Sequence, residues 1–326
     1  MAEVSVLIAA YKPTYFSEAL RSALGQTLVD LEVIVIDDSS GDEISRIVDE
    51  IGDRRVRYLR NAQQLGPAAS HDRAIDEAAA PILGVLNDDD IWEPTLVERL
   101  LAALEEEPSA VMAFGDHWVL REGQKDAAAS DDLSRKWKRD VLESGLHRPF
   151  HRIALVDKSV PLAIAALFRK SALSGSQIPT SVGGAYDYFL SYLLCRDGAG
   201  ATYLPERLAS WRVHSSNLTS VPSVARAEEA LSVARLIASD RRLVGLLGEL
   251  KALESEALWG VATRSLRTGR RMRALRAAIS SFRLGNREAA FLVPAALVPR
   301  AILAKIVWRE KVIAGSAERV CRDRDE

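Results

Sequence analysis

Two cysteines in 326 residues leave little material for cross-linking. Cys195 and Cys321 lie far apart and without ligand spacing, which argues against a disulfide framework and a structural zinc site and for a reducing compartment. No uninterrupted run of about 18 apolar residues occurs, so no membrane-spanning helix is expected. The chain enters a strand pattern at Val4 with no basic, apolar, small-residue leader before it, so the expected location is cytoplasmic. The sequon Asn217-Leu218-Thr219 then reads as chance. Basic residues are not interleaved with aromatics, which argues against a nucleic-acid partner.

What is present is an ordinary globular composition, 48% hydrophobic and 27% charged, enough for one large domain or two modest ones. The net charge of −2 conceals an uneven distribution. From residue 221 onward there are 20 Lys+Arg against 12 Asp+Glu, a balance of +8, and the preceding 220 residues carry −10. The C-terminal third is therefore a separate basic, Ala/Leu/Arg-rich region.

The first 115 residues alternate between two patterns. "VSVLIAA", "LEVIVID", "VRYLR" and "PILGVL" read as short buried strands, and the stretches between them (Tyr15–Leu28, Asp42–Ile51, Pro67–Ala79) carry helical spacing. That alternation predicts an open, mostly parallel α/β sheet, in which ligands bind beyond the carboxyl ends of the strands. Tyr11, Asp37-Asp38 and Asp88-Asp89-Asp90 all fall at that end. A strand follows at Ala110–Trp118. The polar stretch Arg121–Arg152 reads as a mobile loop with a short helix near Asp131–Glu143. "DDIWEPTLVERLLAAL" reads as a helix start that Asp90 could cap.

The ordered pieces "VSVLIAAYK", "SALGQTLVDLEVIVIDDSSGD", "VLNDDDIWEP", "YDYFLSYLLCRDG" and "WRVH" resemble the inverting glycosyltransferases of family 2, which have the GT-A fold and use nucleotide-sugar donors. The resemblance spans roughly residues 3 to 220. It implies a catalytic domain over 1–220, with a nucleotide-binding half to about residue 115 and an acceptor half over 116–220, followed by a helical extension over 221–326.

It also implies roles. Asp187 stands where the family carries its catalytic base. Tyr11 would flank the nucleotide base, Ala9 would meet it through backbone, and Asp38 would accept a ring N–H, favouring uracil or thymine. Asp89 would ligate Mn²⁺ or Mg²⁺, hard cations that prefer carboxylate and phosphate oxygens. His214 would be a second metal ligand. Asp88 would lie near the ribose or the metal's water shell, Asp90 would orient backbone or metal-bound water, and Arg212 would face phosphate.

Three places depart from the family pattern: Asn87 where many relatives have the first acid of the metal motif, His71-Asp72 where they often read Arg-Asn, and Tyr186 where a Glu often precedes the base. Asp72, in the Asn position, and Asn87 remain candidate nucleotide contacts. Helix-end or packing roles compete for His71, a helix-cap role competes for Asp187, and an Asx-type turn competes for Asp37.

The expected partners are a nucleotide-sugar donor and a saccharide, lipid-linked or small-molecule acceptor. The Arg-rich C-terminal helices and "FLVPAALVPRAILAKIVWREKV" could form a homodimer or a peripheral membrane contact. Two other functions compete: a nucleotidyltransferase, whose Gly-rich triphosphate loop is lacking in "AAYKPTYF", and a degenerate relative that binds nucleotide-sugar without turnover. A receiver-like signalling module is disfavoured by the chain's length and by the second acidic strand end.

Overall fold

The structure, a computed structural model, describes residues 2–292 apart from residues 29, 216 and 218–222. It forms two compact units, one of Met1–Val221 with Arg235–Leu250 and one of Pro222–Ala234 with Lys251–Glu326.

The first unit is built as the alternation predicts. Strands β1 (Val4–Ala10), β2 (Leu31–Asp37), β3 (Val56–Arg60) and β4 (Ile82–Val85) alternate with helices α1 (Phe16–Leu24), α2 (Glu43–Ile51) and α3 (Pro67–Glu77). The four strands pair in parallel in the order β3-β2-β1-β4. Val4, Val6, Leu7 and Ile8 of β1 and Val33 to Ile36 of β2 are fully buried, because both faces of these central strands are covered. Each such side chain contributes about 1.5–3 kcal/mol.

Beyond β4 the sheet becomes mixed. Strand β5 (Ile91–Trp92), helix α4 (Leu96–Glu106) and the long strand β6 (Ala110–Arg121) are followed by β7 (Gln124–Asp126), α5 (Ala127–Lys136), β8 (Gly145–His147), α6 (Leu162–Ala165), β9 (Ala166–Arg169), α7 (Tyr186–Cys195) and β10 (Gly200–Val213). Strand β9 runs antiparallel between β4 and β6, and β10 runs parallel to β6, so β1, β2, β3, β4, β6 and β10 all end at one edge. Close packing fixes the chain where β4 ends: a Cβ on Gly84 would come within 2.6 Å of both Trp92 and Leu167.

Two local expectations are corrected. The stretch 121–152 is ordered into the β6–β7 hairpin, α5 and β8, and is pinned by a buried ion pair from Arg139 Nε to Asp116 Oδ1 at 2.7 Å. The helix expected near Asp131–Glu143 is present as α5, shifted towards the N-terminus; β7 and β8 are three residues each, so hydropathy spacing did not reveal them. Asp90 caps no helix, because Ile91–Trp92 pairs with β10 as a strand and α4 begins at Leu96, with Thr95 as its N-cap.

The second unit packs α8 (Val224–Ala238), α9 (Leu247–Arg267) and α10 (Arg271–Arg283) around Leu231, Leu258, Val261, Ala262 and Ala278. Among the described residues no helix is long and apolar enough to cross a membrane. Most of "FLVPAALVPRAILAKIVWREKV" lies outside the described residues.

Candidate active site

The three consecutive acids after β4 divide their work. Asp88 turns back to β1, where its Oδ2 accepts the backbone N–H groups of Tyr11 at 2.7 Å and Lys12 at 2.9 Å. Asp90 is buried; its Oδ1 accepts Arg212 N at 2.9 Å and its Oδ2 accepts Asn87 Nδ2 at 2.9 Å. Burial pushes the Asp88 carboxyl up to about 6 and the Asp90 carboxyl well above its ordinary value, with the Asp89 charge adding to both. These two acids are structural braces at the strand edge. Asp89 is left with the more open position, its side chain 24% exposed.

Asp89 meets the end of β10. Its Oδ2 lies 3.1 Å from His214 Nε2 and 3.1 Å from Asn217 Nδ2. Arg212 donates from Nε to the Asp89 carbonyl at 2.9 Å and from Nη2 to Glu18 at 2.6 Å, with its guanidinium 4.3 Å from the Tyr15 ring centroid. Tyr15 also packs on His214, centroids 4.9 Å apart. Tyr15, Glu18 and Asn217 escaped the sequence reading. The first two lie at the start of α1, far from any acidic motif, and Asn217 was read only as a sequon although it sits three residues after His214.

A divalent cation is what the resemblance implies here. Asp89 Oδ2 and His214 Nε2 lie 3.1 Å apart, and among the described residues no group of three or more His, Cys, Asp or Glu side chains is placed to hold a metal by itself. A carboxylate oxygen plus an imidazole suits Mg²⁺ or Mn²⁺ when the remaining positions come from phosphate oxygens and water. The residues present fit such an ion.

On the β1–β2 side, Tyr11 is 46% exposed at the strand end and Ala9 is half-buried. Asp38 is buried and braces a loop: its Oδ1 accepts Asn61 Nδ2 at 2.7 Å and Leu65 N at 2.8 Å, and its Oδ2 accepts Gly66 N at 2.8 Å. Gly66 holds φ +82°, which favours glycine, and Pro67 then starts α3 at a position that needs no N–H. Asp37 makes the Asx-type turn to Ser39 N at 2.8 Å and accepts Tyr58 Oη at 2.6 Å. Asp72 accepts Ile178 N at 2.8 Å, which ties α3 to the segment before α7.

Asp187 lies in the first turn of α7, and the N-cap is Ala185, which makes no side-chain cap. Asp187 is therefore not the capping residue, although its Oδ1 accepts Tyr188 N at 2.7 Å. Its neighbour Tyr186 is buried, donates to Asn87 Oδ1 at 2.8 Å and stacks on His71 with centroids 3.8 Å apart and planes at 15°. The three departures from the family pattern thus touch one another.

Burial pushes the His71 imidazole down to about 4 from an ordinary 6.5. The unfolded chain takes up the proton first as pH falls, so this contribution to stability is complete above about 6.5 and is lost towards 4. Between pH 7 and pH 5, wild-type protein should lose about 2 kcal/mol more than His71→Phe, which keeps the ring stack. Urea titrations at both pH values measure this; equal losses would discard it.

Asp89, His214 and Arg212 meet at the strand edge, with the exposed ring of Tyr11 at the end of β1, on a fold of the GT-A type. Residues 5–154 match the family described as "Glycosyl transferase family 2". It is similar, at 34% identity over 118 residues, to the Escherichia coli UDP-Glc:alpha-D-GlcNAc-diphosphoundecaprenol beta-1,3-glucosyltransferase WfaP, covering 36% of this chain and 46% of that protein. An uncharacterized glycosyltransferase of Haemophilus influenzae is 26% identical over 71% of this chain and 72% of its own length. In fold, the chain resembles S. aureus TarS 1-349 in complex with UDP-GlcNAc, with a TM-score of 0.61 and 16% identity over 90% of this chain and 84% of that one. It also resembles a mannosyltransferase of Pyrobaculum calidifontis in complex with GDP-Man and Mn²⁺, with a TM-score of 0.55 and 19% identity over 99% and 88% of the two chains.

Proposed function

We propose that the protein is a metal-dependent inverting glycosyltransferase that moves a sugar from a UDP- or dTDP-sugar to a hydroxyl or amine acceptor. The observation that carries this reading is the convergence of Asp89, His214 and Arg212 at the edge where β1 and β4 also end. Asp89 and His214 would hold the cation, which when bound offsets the charge of the departing diphosphate. Arg212 is fixed by the Asp89 carbonyl and Glu18, so a phosphate would meet a guanidinium already in place. Tyr11 offers an exposed ring beside the base, and Ala9 offers backbone. Asp38 Oδ2 accepts only Gly66 N of the bonds described, which leaves an acceptor direction for a ring N–H. Asp88, Asp90, Asn87 and Asp72 would act on the donor through the loops they brace. Asp187 would take the acceptor proton as the new bond forms.

The solved neighbours carry different bases, UDP-GlcNAc in one and GDP-Man in the other, so the base is the part of the reading most open to test. With Mn²⁺ present, uridine or thymidine diphosphate should raise the melting temperature and guanosine diphosphate should not. Guanine also carries a ring N–H, so the difference would rest on where the larger purine places that edge relative to Asp38, not on the lack of a donor. Equal shifts would refute the pyrimidine assignment, and no shift with any of them would refute the donor site.

A further inference from the structure

We propose that Tyr186 is a positioning residue: stacked on His71 and hydrogen-bonded to Asn87, it locks the start of α7, and with it Asp187, to the acidic loop. The inference rests on the glycosyltransferase reading for the roles of Asp187 and Asp89, and on geometry for the lock.

The lock joins three elements through uncharged side chains. His71 of α3 is 2% exposed and its Nδ1 lies 2.8 Å from the Pro67 carbonyl. Because a carbonyl only accepts, Nδ1 carries the proton and the ring orientation is set by its own helix. Tyr186 lies flat on that ring. Its hydroxyl reaches Asn87 Oδ1 at 2.8 Å, and Asn87 passes the connection to Asp90 through Nδ2 at 2.9 Å. Asp90 holds Arg212 N, and Arg212 Nε returns to the Asp89 carbonyl. A continuous chain of contacts therefore runs from the residue beside Asp187 to the residue that would hold the cation.

Each residue type follows from its neighbours. Asn87 must accept from one side and donate to the other, which an amide does and a carboxylate does not. An acid at 87 would lose the bond to Asp90 and repel it. Position 186 needs a donor because Asn87 presents its carbonyl oxygen, and a carboxylate would present another acceptor. Position 71 needs a flat, neutral ring because Tyr186 covers it in a buried place, where an unpaired cation is costly. The three exceptions to the family pattern are one mutually dependent choice. Its effect is to hold base and donor site at a set spacing, and misplacement of about 1 Å costs about 10²-fold in rate.

Two experiments test the lock. Tyr186→Phe keeps the stack and removes only the hydroxyl. Release of nucleoside diphosphate from the nucleotide-sugar that wild type turns over best should show kcat lowered about 10- to 100-fold with KM for the donor unchanged. The Tyr186→Phe/Asn87→Asp double variant should be no slower than the slower single, because the two interrupt the same chain of contacts at successive bonds, Tyr186 to Asn87 and Asn87 to Asp90. Wild-type kcat in Tyr186→Phe, or losses that multiply in the double, would overturn the positioning role.

The second experiment needs no substrate. His71→Arg and Tyr186→Glu should each lower Tm by roughly 6 °C or more, since each buries an unpaired charge. Together they place opposite charges in contact and should regain at least half of the loss. A double variant that melts below both singles would overturn the stacked unit. If wild type turns over no nucleotide-sugar, the glycosyltransferase reading fails by itself, and the melting cycle still decides whether the lock exists.

Discussion

Asp187→Asn should melt and bind nucleoside diphosphate like wild type and transfer sugar ~10²–10⁴-fold more slowly. The substitution keeps the size of the side chain and an oxygen that can accept Tyr188 N, the bond seen at 2.7 Å. It removes the one property a general base needs, a carboxylate that can take a proton. Because the helix is capped at Ala185 without a side-chain bond, no cap is lost, and the stability change should stay within the ~0.3–1 kcal/mol of a charge near a helix N-terminus. Tyr186 and Asn87 are untouched, so the spacing argued for the lock is preserved. Melting, donor binding and transfer measured on the same variant form the test. Near-wild-type transfer would remove Asp187 from the mechanism. Asp157 would then be the next acid to examine, although it is engaged by Lys138 Nζ at 2.6 Å.

Asp89→Ala should abolish turnover and reduce nucleoside diphosphate affinity in Mn²⁺ to the level measured in EDTA, with the EDTA value itself unchanged. The structure separates this acid from its neighbours. Asp88 and Asp90 are occupied by backbone N–H groups, whereas Asp89 Oδ2 faces His214 Nε2 in the more open position. Loss of the Asp89 carboxylate also takes one of two acceptors from Asn217 Nδ2, the other being the Arg212 carbonyl, so Asp89→Asn is the control that keeps a side-chain acceptor. It should keep the contact to Asn217 and still lose the metal-dependent increment, because a neutral amide is a poorer ligand for a hard cation. Calorimetric titration with and without EDTA reads both effects. Metal-dependent binding that survives in Asp89→Ala would mean that the cation is held elsewhere.

The parallel half of the fold was legible in sequence because its signals are local. A buried parallel strand needs a continuous run of apolar residues, and "VSVLIAA" and "LEVIVID" have one. A polar ligand edge needs the runs to stop together, and Tyr11, Asp38 and Asp88 mark where they do. The region 121–152 was not legible in that way. Its order depends on Arg139 reaching Asp116 across 23 residues, and no window of hydropathy contains that pair.

The same division holds at the site. Residue types and order pointed to Asp89, His214, Arg212 and Asp187, since chemistry restricts which side chains can bind a hard cation or accept a proton. Only tertiary structure showed that three consecutive acids have three tasks, because each acid takes a partner from a distant part of the chain: Tyr11 and Lys12 after β1, Arg212 of β10, and Asn217 beyond it. It also decided what His71, Asn87 and Tyr186 are for. Read singly they are three departures from a pattern; in the folded chain they are joined by a ring stack across 115 positions and a hydrogen bond across 99. Contacts that distant carry no signature in local sequence, because the chain brings them together only when the sheet has formed and α3 and α7 have packed beside it.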